Sequence, residues 1–166
     1  IEEIGVSAQR KIMNTKVLIV GVGGLGSPVL QYLAAAGIGA LALVDFDQVE
    51  LHNLNRQVIH SEKHLHNSKV SSAADFIQQH NSTIDFRPLQ VKIDVDNAAE
   101  ILRPYDIIVD CCDNFKTRYL LNETCLKLNK PLVYGSIYGF EGQLAVFNYC
   151  GSKNLLDLFP TAPPPE

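Results

Sequence analysis

The chain has 166 residues, 46% of them hydrophobic and 19% charged, with a formal net charge of -4. This composition excludes intrinsic disorder, a collagen-like repeat and a coiled coil, and its acidic balance speaks against nucleic-acid binding. No apolar stretch reaches the ~18–20 residues of a membrane span and the start has no apolar signal-peptide core, so no membrane contact is expected, and cysteines that read as reduced core residues point to a cytoplasmic protein.

Residues 16–20 are nearly all apolar, as a strand buried at the centre of a parallel sheet must be. A glycine cluster at 21–26 follows, then an apolar helical stretch with small residues to Ala36, with Gly37 and Gly39 marking a turn. Residues 40–44 read as a second buried strand ending in Asp45. Residues 68–80 read as a helix with apolar positions Val70, Ala73, Ala74 and Ile77 and Ser68 as N-cap. A third strand is expected over 83–91, and a short helix over 96–103, capped by Asp94 or Asp96 and stopped by Pro104. A fourth strand covers 105–111 and a helix 114–129. Two further strands fall at 131–136 and 143–149. Past Cys150 a loop and a proline-rich tail are expected. Alternating strands and helices predict an α/β, Rossmann-like doubly wound sheet, mainly parallel with helices on both faces and a ligand beyond the strands' C-terminal ends. Residues 1–150 form the expected nucleotide-binding domain, and 151–166 a tail leading toward a further region. The four cysteines form no Cys-x-x-Cys pair, and Cys111 and Cys112 sit in an apolar run as reduced core residues do.

Gly21, Gly23, Gly24 and Gly26 fit G-x-G-x-x-G between a strand and a helix. Glycine there permits positive φ, backbone approach to a phosphate and close helix–strand packing, while the helix N-terminus offers free N–H donors. Asp45 stands where a ribose hydroxyl is bound in such folds. A merely tight turn is the plainer reading, yet strand, helix and acid occur together, so a nucleotide is expected; the motif does not choose between NAD and ATP. Asn53, Arg56 and Lys69 follow near the same cleft. A guanidinium and an ammonium suit a triphosphate with a departing pyrophosphate, although each residue alone is as compatible with a solvated surface or a helix start. Asp113, after the fourth strand, is either the N-cap of the next helix or a magnesium ligand facing phosphates.

Taken together, 17–26, Val44-Asp-Phe-Asp47-x-Val49, Asn53-Leu-Asn-Arg56-Gln57, Lys69-Val70, Asp110-Cys-Cys-Asp113-Asn114, Pro131-Leu-Val and Glu141-Gly-Gln143-Leu-x-Val-Phe147 resemble the ThiF/MoeB family, adenylyltransferases related to ubiquitin-activating enzymes. The resemblance runs from about Ile4 to Pro165. It implies binding of ATP and magnesium, and adenylation of the C-terminal glycine of a ubiquitin-like sulfur carrier of the molybdopterin or thiamine type ending in Gly-Gly, with release of pyrophosphate. It implies that Gly21, Gly23, Gly24 and Gly26 form the nucleotide loop, that Asp45 holds the ribose with Asp47 in the same nucleotide-binding set, that Asn53, Arg56 and Lys69 contact phosphates, and that Asp113 holds magnesium. A homodimer is also implied; the apolar strand residues Leu144, Val146 and Phe147 are then either covered by the partner or ordinary core. The family's Arg-Tyr-x-Arg-Gln segment has no match at Arg10, and the chain reads as trimmed at both ends. The positions of a zinc-binding Cys-x-x-Cys hold Asn154 and Asp157, so no zinc is expected, and no cysteine matches a catalytic position. An NAD(P)-dependent oxidoreductase, a nucleotide-binding module without turnover, and an enzyme adenylating a small molecule or a tRNA base carbonyl are the other readings.

Overall fold

The computed structural model describes residues 4–161, so the proline run beyond Thr161 lies outside the described residues. The strands are β1 (Lys16–Val20), β2 (Ala40–Val44), β3 (Asp85–Leu89), β4 (Ile107–Asp110), β5 (Leu132–Tyr138) and β6 (Glu141–Phe147). The helices are α1 (Gly5–Asn14), α2 (Gly26–Ala36), α3 (Lys69–His80), α4 (Ala98–Leu102), α5 (Phe115–Leu128) and α6 (Leu155–Leu158). The sheet order is β3-β2-β1-β4-β5-β6, parallel except for the final β5–β6 pair. This is the Rossmann-like doubly wound sheet that the alternation predicts. Among the described residues no helix is long and apolar enough to cross a membrane.

Alternate residues of the strands supply two cores. Ile19, Leu41, Leu43 and Val109 pack beneath α2 and α3 with Leu30, Ala34, Val70 and Ile77. Leu18, Ala42, Ile108 and Leu132 pack on the other face with Leu102, Leu121, Cys125 and Leu155. β1 is buried on both sides, which is why its sequence is a continuous apolar run instead of an alternating one.

The bounds of β4, β5 and β6 differ from the expected 105–111, 131–136 and 143–149, β6 by two residues at each end, and four further elements differ from the sequence reading. α1 was not expected: it buries no residue and has no side-chain N-cap, so neither signal marks it. β3 is shorter than 83–91, and its Pro88 is tolerated because β3 is an edge strand with no neighbour on one side. Asp94 accepts from the amides of Asp96 and Asn97 in a turn, and α4 begins only after it. The expected loop after Cys150 contains α6, which Asn154 caps by accepting from the Leu156 amide at 2.8 Å.

Val20 pairs with both Val44 and Asp110. The residues that follow, Gly21, Asp45 and Cys111, therefore leave the sheet at one level. The chain crosses to opposite sides of β1 at this point, and this switch point opens the crevice in which such folds bind ligands.

Behind the glycine loop lies a buried histidine. His60 is 7% exposed and its Nδ1 pairs with the Ser72 hydroxyl of α3 at 2.8 Å, while its Nε2 has no hydrogen-bond partner. Burial is the main cause of a pKa lowered to about 4; the nearby Val22 backbone pulls it up, and the charges of Lys69 and His64 add to the fall.

Leu18→Ala and Ile19→Ala are each expected to cost about 3 kcal/mol in urea unfolding, against less than about 0.5 kcal/mol for the exposed Val95→Ala. The neutral His60 gives a pH signature. The unfolded chain takes up its proton near pH 6.5, the folded one only near 4. Stability is therefore lost as pH falls from 6.5 to about 4, and by about 3 kcal/mol in all. Unfolding curves of His60→Gln across that window should lack this part of the acid loss; an unchanged slope would show that His60 is not its source.

Candidate functional site

The cleft above the strand ends has a volume of about 760 Å³. Glycine builds its floor. Gly21 leaves β1 at φ +89, and a Cβ there would lie 2.8 Å from the carbonyl oxygen of Cys111. A Cβ on Gly26 would lie 2.0 Å from the Gly21 oxygen, so only glycine lets α2 begin so close to the strand end. Asp45 ties the loop to β2: its Oδ2 accepts from the Val22 amide at 2.9 Å and its Oδ1 from the Asp47 amide at 2.9 Å.

The sequence-predicted residues Gly21, Gly23, Gly24, Asp45, Asp47, Asn53, Arg56, Lys69 and Asp113 all line this one cleft. Gly26 does not line it; it is buried beneath, where α2 starts. Lys69 stands at the first position of α3, whose N-cap Ser68 accepts from the Ser71 amide at 3.2 Å as expected. The Lys69 side chain is 8% exposed and donates to Asp47 Oδ2 at 3.0 Å. Arg56 lies along the glycine loop, its Cδ 3.5 Å from where a Gly24 Cβ would sit. Its Nη1 donates to the His52 carbonyl and to Asn55 Oδ1. Asn53 is buried; its Oδ1 accepts from the Glu50 amide at 3.2 Å and its Nδ2 lies 3.0 Å from His52 Nε2.

Asp113 is exposed at the rim. The cap of α5 is Asn114, whose Oδ1 accepts from the Thr117 amide at 2.9 Å, so the alternative of Asp113 as N-cap is corrected. Asp113 accepts only a long hydrogen bond from Asn114 Nδ2 at 3.4 Å, which leaves most of its lone pairs free.

Several lining residues were given no role from sequence. Gln57 is 3% exposed beside Gly23, and its Oε1 has no hydrogen-bond partner. Arg118, 5% exposed, reaches the cleft from α5. Its signal was readable: Arg118, Leu121 and Cys125 share a helical face by their spacing of three and four, and an arginine on an apolar face has a buried partner. The thiols are quiet. Burial, with the nearby Asp110 carboxylate, pushes Cys111 up to about 12 and raises Cys112 as well, and burial pushes Cys125 up to about 12. Asn154 and Asp157 bond each other, Asn154 Nδ2 donating to Asp157 Oδ2 at 2.8 Å. Among the described residues no three His, Cys, Asp or Glu side chains converge as a metal site.

The ThiF family matches residues 1–166. The adenylyltransferase and sulfurtransferase MOCS3 of Anopheles gambiae is 48% identical over the whole chain, and that of Danio rerio 49% identical over 99% of it. The chain spans only 38% and 36% of the length of these two proteins. Among solved structures, E. coli tRNA N6-threonylcarbamoyladenosine dehydratase TcdA in complex with ATP superposes with a TM-score of 0.78 at 28% identity, over 81% of this chain and 56% of its own. E. coli MccB with MccA-N7isoASN gives 0.83 at 28% identity, over 89% and 44%. By sequence, by sheet order and by the cleft at its switch point, the chain belongs to the ThiF family.

Proposed function

We propose that this chain carries the ATP site of an adenylyltransferase that activates the C-terminal glycine of a ubiquitin-like sulfur carrier. The observation that carries the reading is the cleft itself: a glycine loop with Arg56, Lys69 and Asp113 on its walls, in a fold whose neighbour TcdA was solved with ATP. The resemblance to the MOCS3 adenylyltransferase and sulfurtransferase proteins at 48–49% identity supports a sulfur carrier of the molybdopterin type as the substrate. Arg56 and Lys69 together disfavour the oxidoreductase reading, because a dinucleotide's pyrophosphate is held mainly by backbone N–H groups and the helix N-terminus.

The loop and the start of α2 supply N–H donors to phosphate oxygens, and Asp45 stands at the place of the ribose. Asp47 holds the buried Lys69 ammonium in place before any ligand arrives. An oxygen of the carrier's terminal carboxylate attacks the α-phosphorus, the bond to the bridging oxygen of the leaving group breaks, and pyrophosphate departs. The carboxylate is already ionised, so no general base is needed and the rate rests on positioning and charge. Arg56, Lys69 and Asn53 stabilise the charge that grows on the phosphates.

Magnesium fits the residues present. Four acidic and four basic side chains line the cleft, so their formal charges cancel and a triphosphate needs further positive charge. Asp113, with lone pairs to spare, would hold the ion together with phosphate oxygens and water. When bound, it neutralises phosphate charge.

A second copy is the proposed cover for the face of β6. Leu144 and Val146 are exposed at 81% and 49%, as expected of such a face, whereas Phe147 is 5% exposed and belongs to the chain's own core. Phe147 is therefore struck from the expected dimer contacts.

ATP–pyrophosphate exchange with magnesium and a carrier ending in Gly-Gly should be carrier-dependent and fall by about 100-fold in Arg56→Ala and in Asp113→Ala. Tight NADH binding without ATP binding would sink the assignment, and ATP binding without exchange would favour a binding module. Light scattering should give a dimer mass for the chain and a monomer mass for Leu144→Asp; a wild-type monomer at high concentration would refute the dimer.

A further inference from the structure

The segment after β4 is pressed against the glycine loop. The backbone of Cys111 and Cys112 passes so close to Gly21 that a Cβ there would lie 3.2 Å from the Cys112 nitrogen. The carbonyl of Cys112, at the join to Asp113, is held by one side chain. Arg118 Nη2 donates to it, and Arg118 Nη1 donates to the Gly135 carbonyl of β5 at 2.8 Å. The guanidinium also lies 4.9 Å from the centre of the Tyr134 ring, and its Nη1 is 3.7 Å from Asp110 Oδ2.

Asp110 is fully buried. Its Oδ1 accepts from the Cys112 amide at 3.0 Å and from the Cys112 thiol at 2.8 Å, while its Oδ2 has no hydrogen bond and faces Arg118 only as an ion pair. Burial pushes the Asp110 carboxyl up, and the Arg118 charge opposes this. A buried ion pair is weak as a source of stability, because desolvation offsets the attraction. What this one adds is geometry: a rigid planar fork fixes two carbonyls on different elements in one plane, whereas an ammonium is a point charge with rotatable donors and imposes no such geometry.

We infer that Arg118 is a positioning residue of the cleft: its two-pronged hold on the Cys112 and Gly135 carbonyls fixes the segment that presents Asp113 opposite the glycine loop. The hold itself is independent of the ligand. Its consequence for ATP rests on the function proposed above.

The test is Arg118→Lys, which keeps a positive charge beside Asp110 and loses the fork. Native-state alkylation with peptide mapping reads Cys111 and Cys112 against Cys125, a buried thiol on the same helix that monitors general loosening. Labelling of Cys111 and Cys112 relative to Cys125 should rise by about tenfold or more, the scale of losing one charge-assisted hydrogen bond. The Kd for ATP should weaken by a similar factor. Three thiols accelerating in step would make Arg118 merely structural, and unchanged labelling would refute the hold outright; either overturns the inference. If Arg118→Lys does not fold, Asp110→Asn with Arg118→Gln removes both buried charges; because losing Asp110 itself activates the neighbouring thiols, the ratio is then read as amide hydrogen exchange of 111–114 against 122–126. A raised ratio in a protein that binds no ATP upholds the hold and removes the ATP reading alone.

Discussion

The contact between Gly26 and the carbonyl of Gly21 is the constraint on which the upper side of the sheet depends. With 2.0 Å between a Cβ at 26 and that oxygen, any side chain would push α2 away from the end of β1. Because α2 starts there, the Ser27 amide reaches the Gly23 carbonyl at 3.0 Å, which closes the first turn of the helix directly on the loop. The loop is anchored a second time by Asp45, whose carboxylate takes the Val22 amide from the neighbouring strand. Strand register then does the rest. Since Val20 is level with Val44 and Asp110, the loop, the acid of β2 and the segment after β4 meet without long connections.

The charges around this point divide by burial. Lys69 and Arg118 are buried, and each has a fixed carboxylate, Asp47 and Asp110. A buried cation without such a partner would be strongly disfavoured by desolvation. Arg56 and Asp113 are exposed, with water available and only local hydrogen bonds. The buried pairs therefore set shape, while the exposed pair is free to exchange its water for a ligand. Asp47 is half exposed where Lys69 is not, so the ammonium is held at the cleft wall by a carboxylate that itself faces solvent.

What could be read from sequence follows the same division. β1, β2 and the glycine loop announce themselves because double burial demands apolar runs and the close approach at 26 demands glycine. The helix around residues 115–128 is legible to within a residue from the apolar spacing of Leu120, Leu121, Cys125 and Leu128; Asn114 and Asn129 cap its ends, Asn129 in the left-handed conformation. The choice of Asn114 over Asp113 as cap was not legible, because either side chain can accept an amide hydrogen bond and only the backbone angles decide. α1 left no mark because it buries nothing, and α6 because its four residues show no period. Phe147 looked like its neighbours Leu144 and Val146. Pairing with Leu132 turns it inward beside Tyr134, its ring 5.6 Å away, and strand alternation puts Leu144 and Val146 outside.

α5 is where the cleft and the end of the chain are joined. Arg118 and Asn122 are four residues apart, one above the other on the buried face. Arg118 holds the cleft segment and β5. Asn122 accepts from the Leu155 amide at 3.0 Å and donates to Asn154 at 3.4 Å, fastening the start of α6, and Tyr119 on the same turn donates to the Phe159 carbonyl at 2.8 Å. A single turn of helix thus fixes both the rim of the nucleotide cleft and the segment after β6. Any displacement of α6 must either break buried hydrogen bonds or move that turn, and moving the turn moves the guanidinium that holds Cys112 in place. Arg118, Tyr119 and Asn122 thus tie the segment that carries Asp113 and the segment beyond β6 to the same turn of α5.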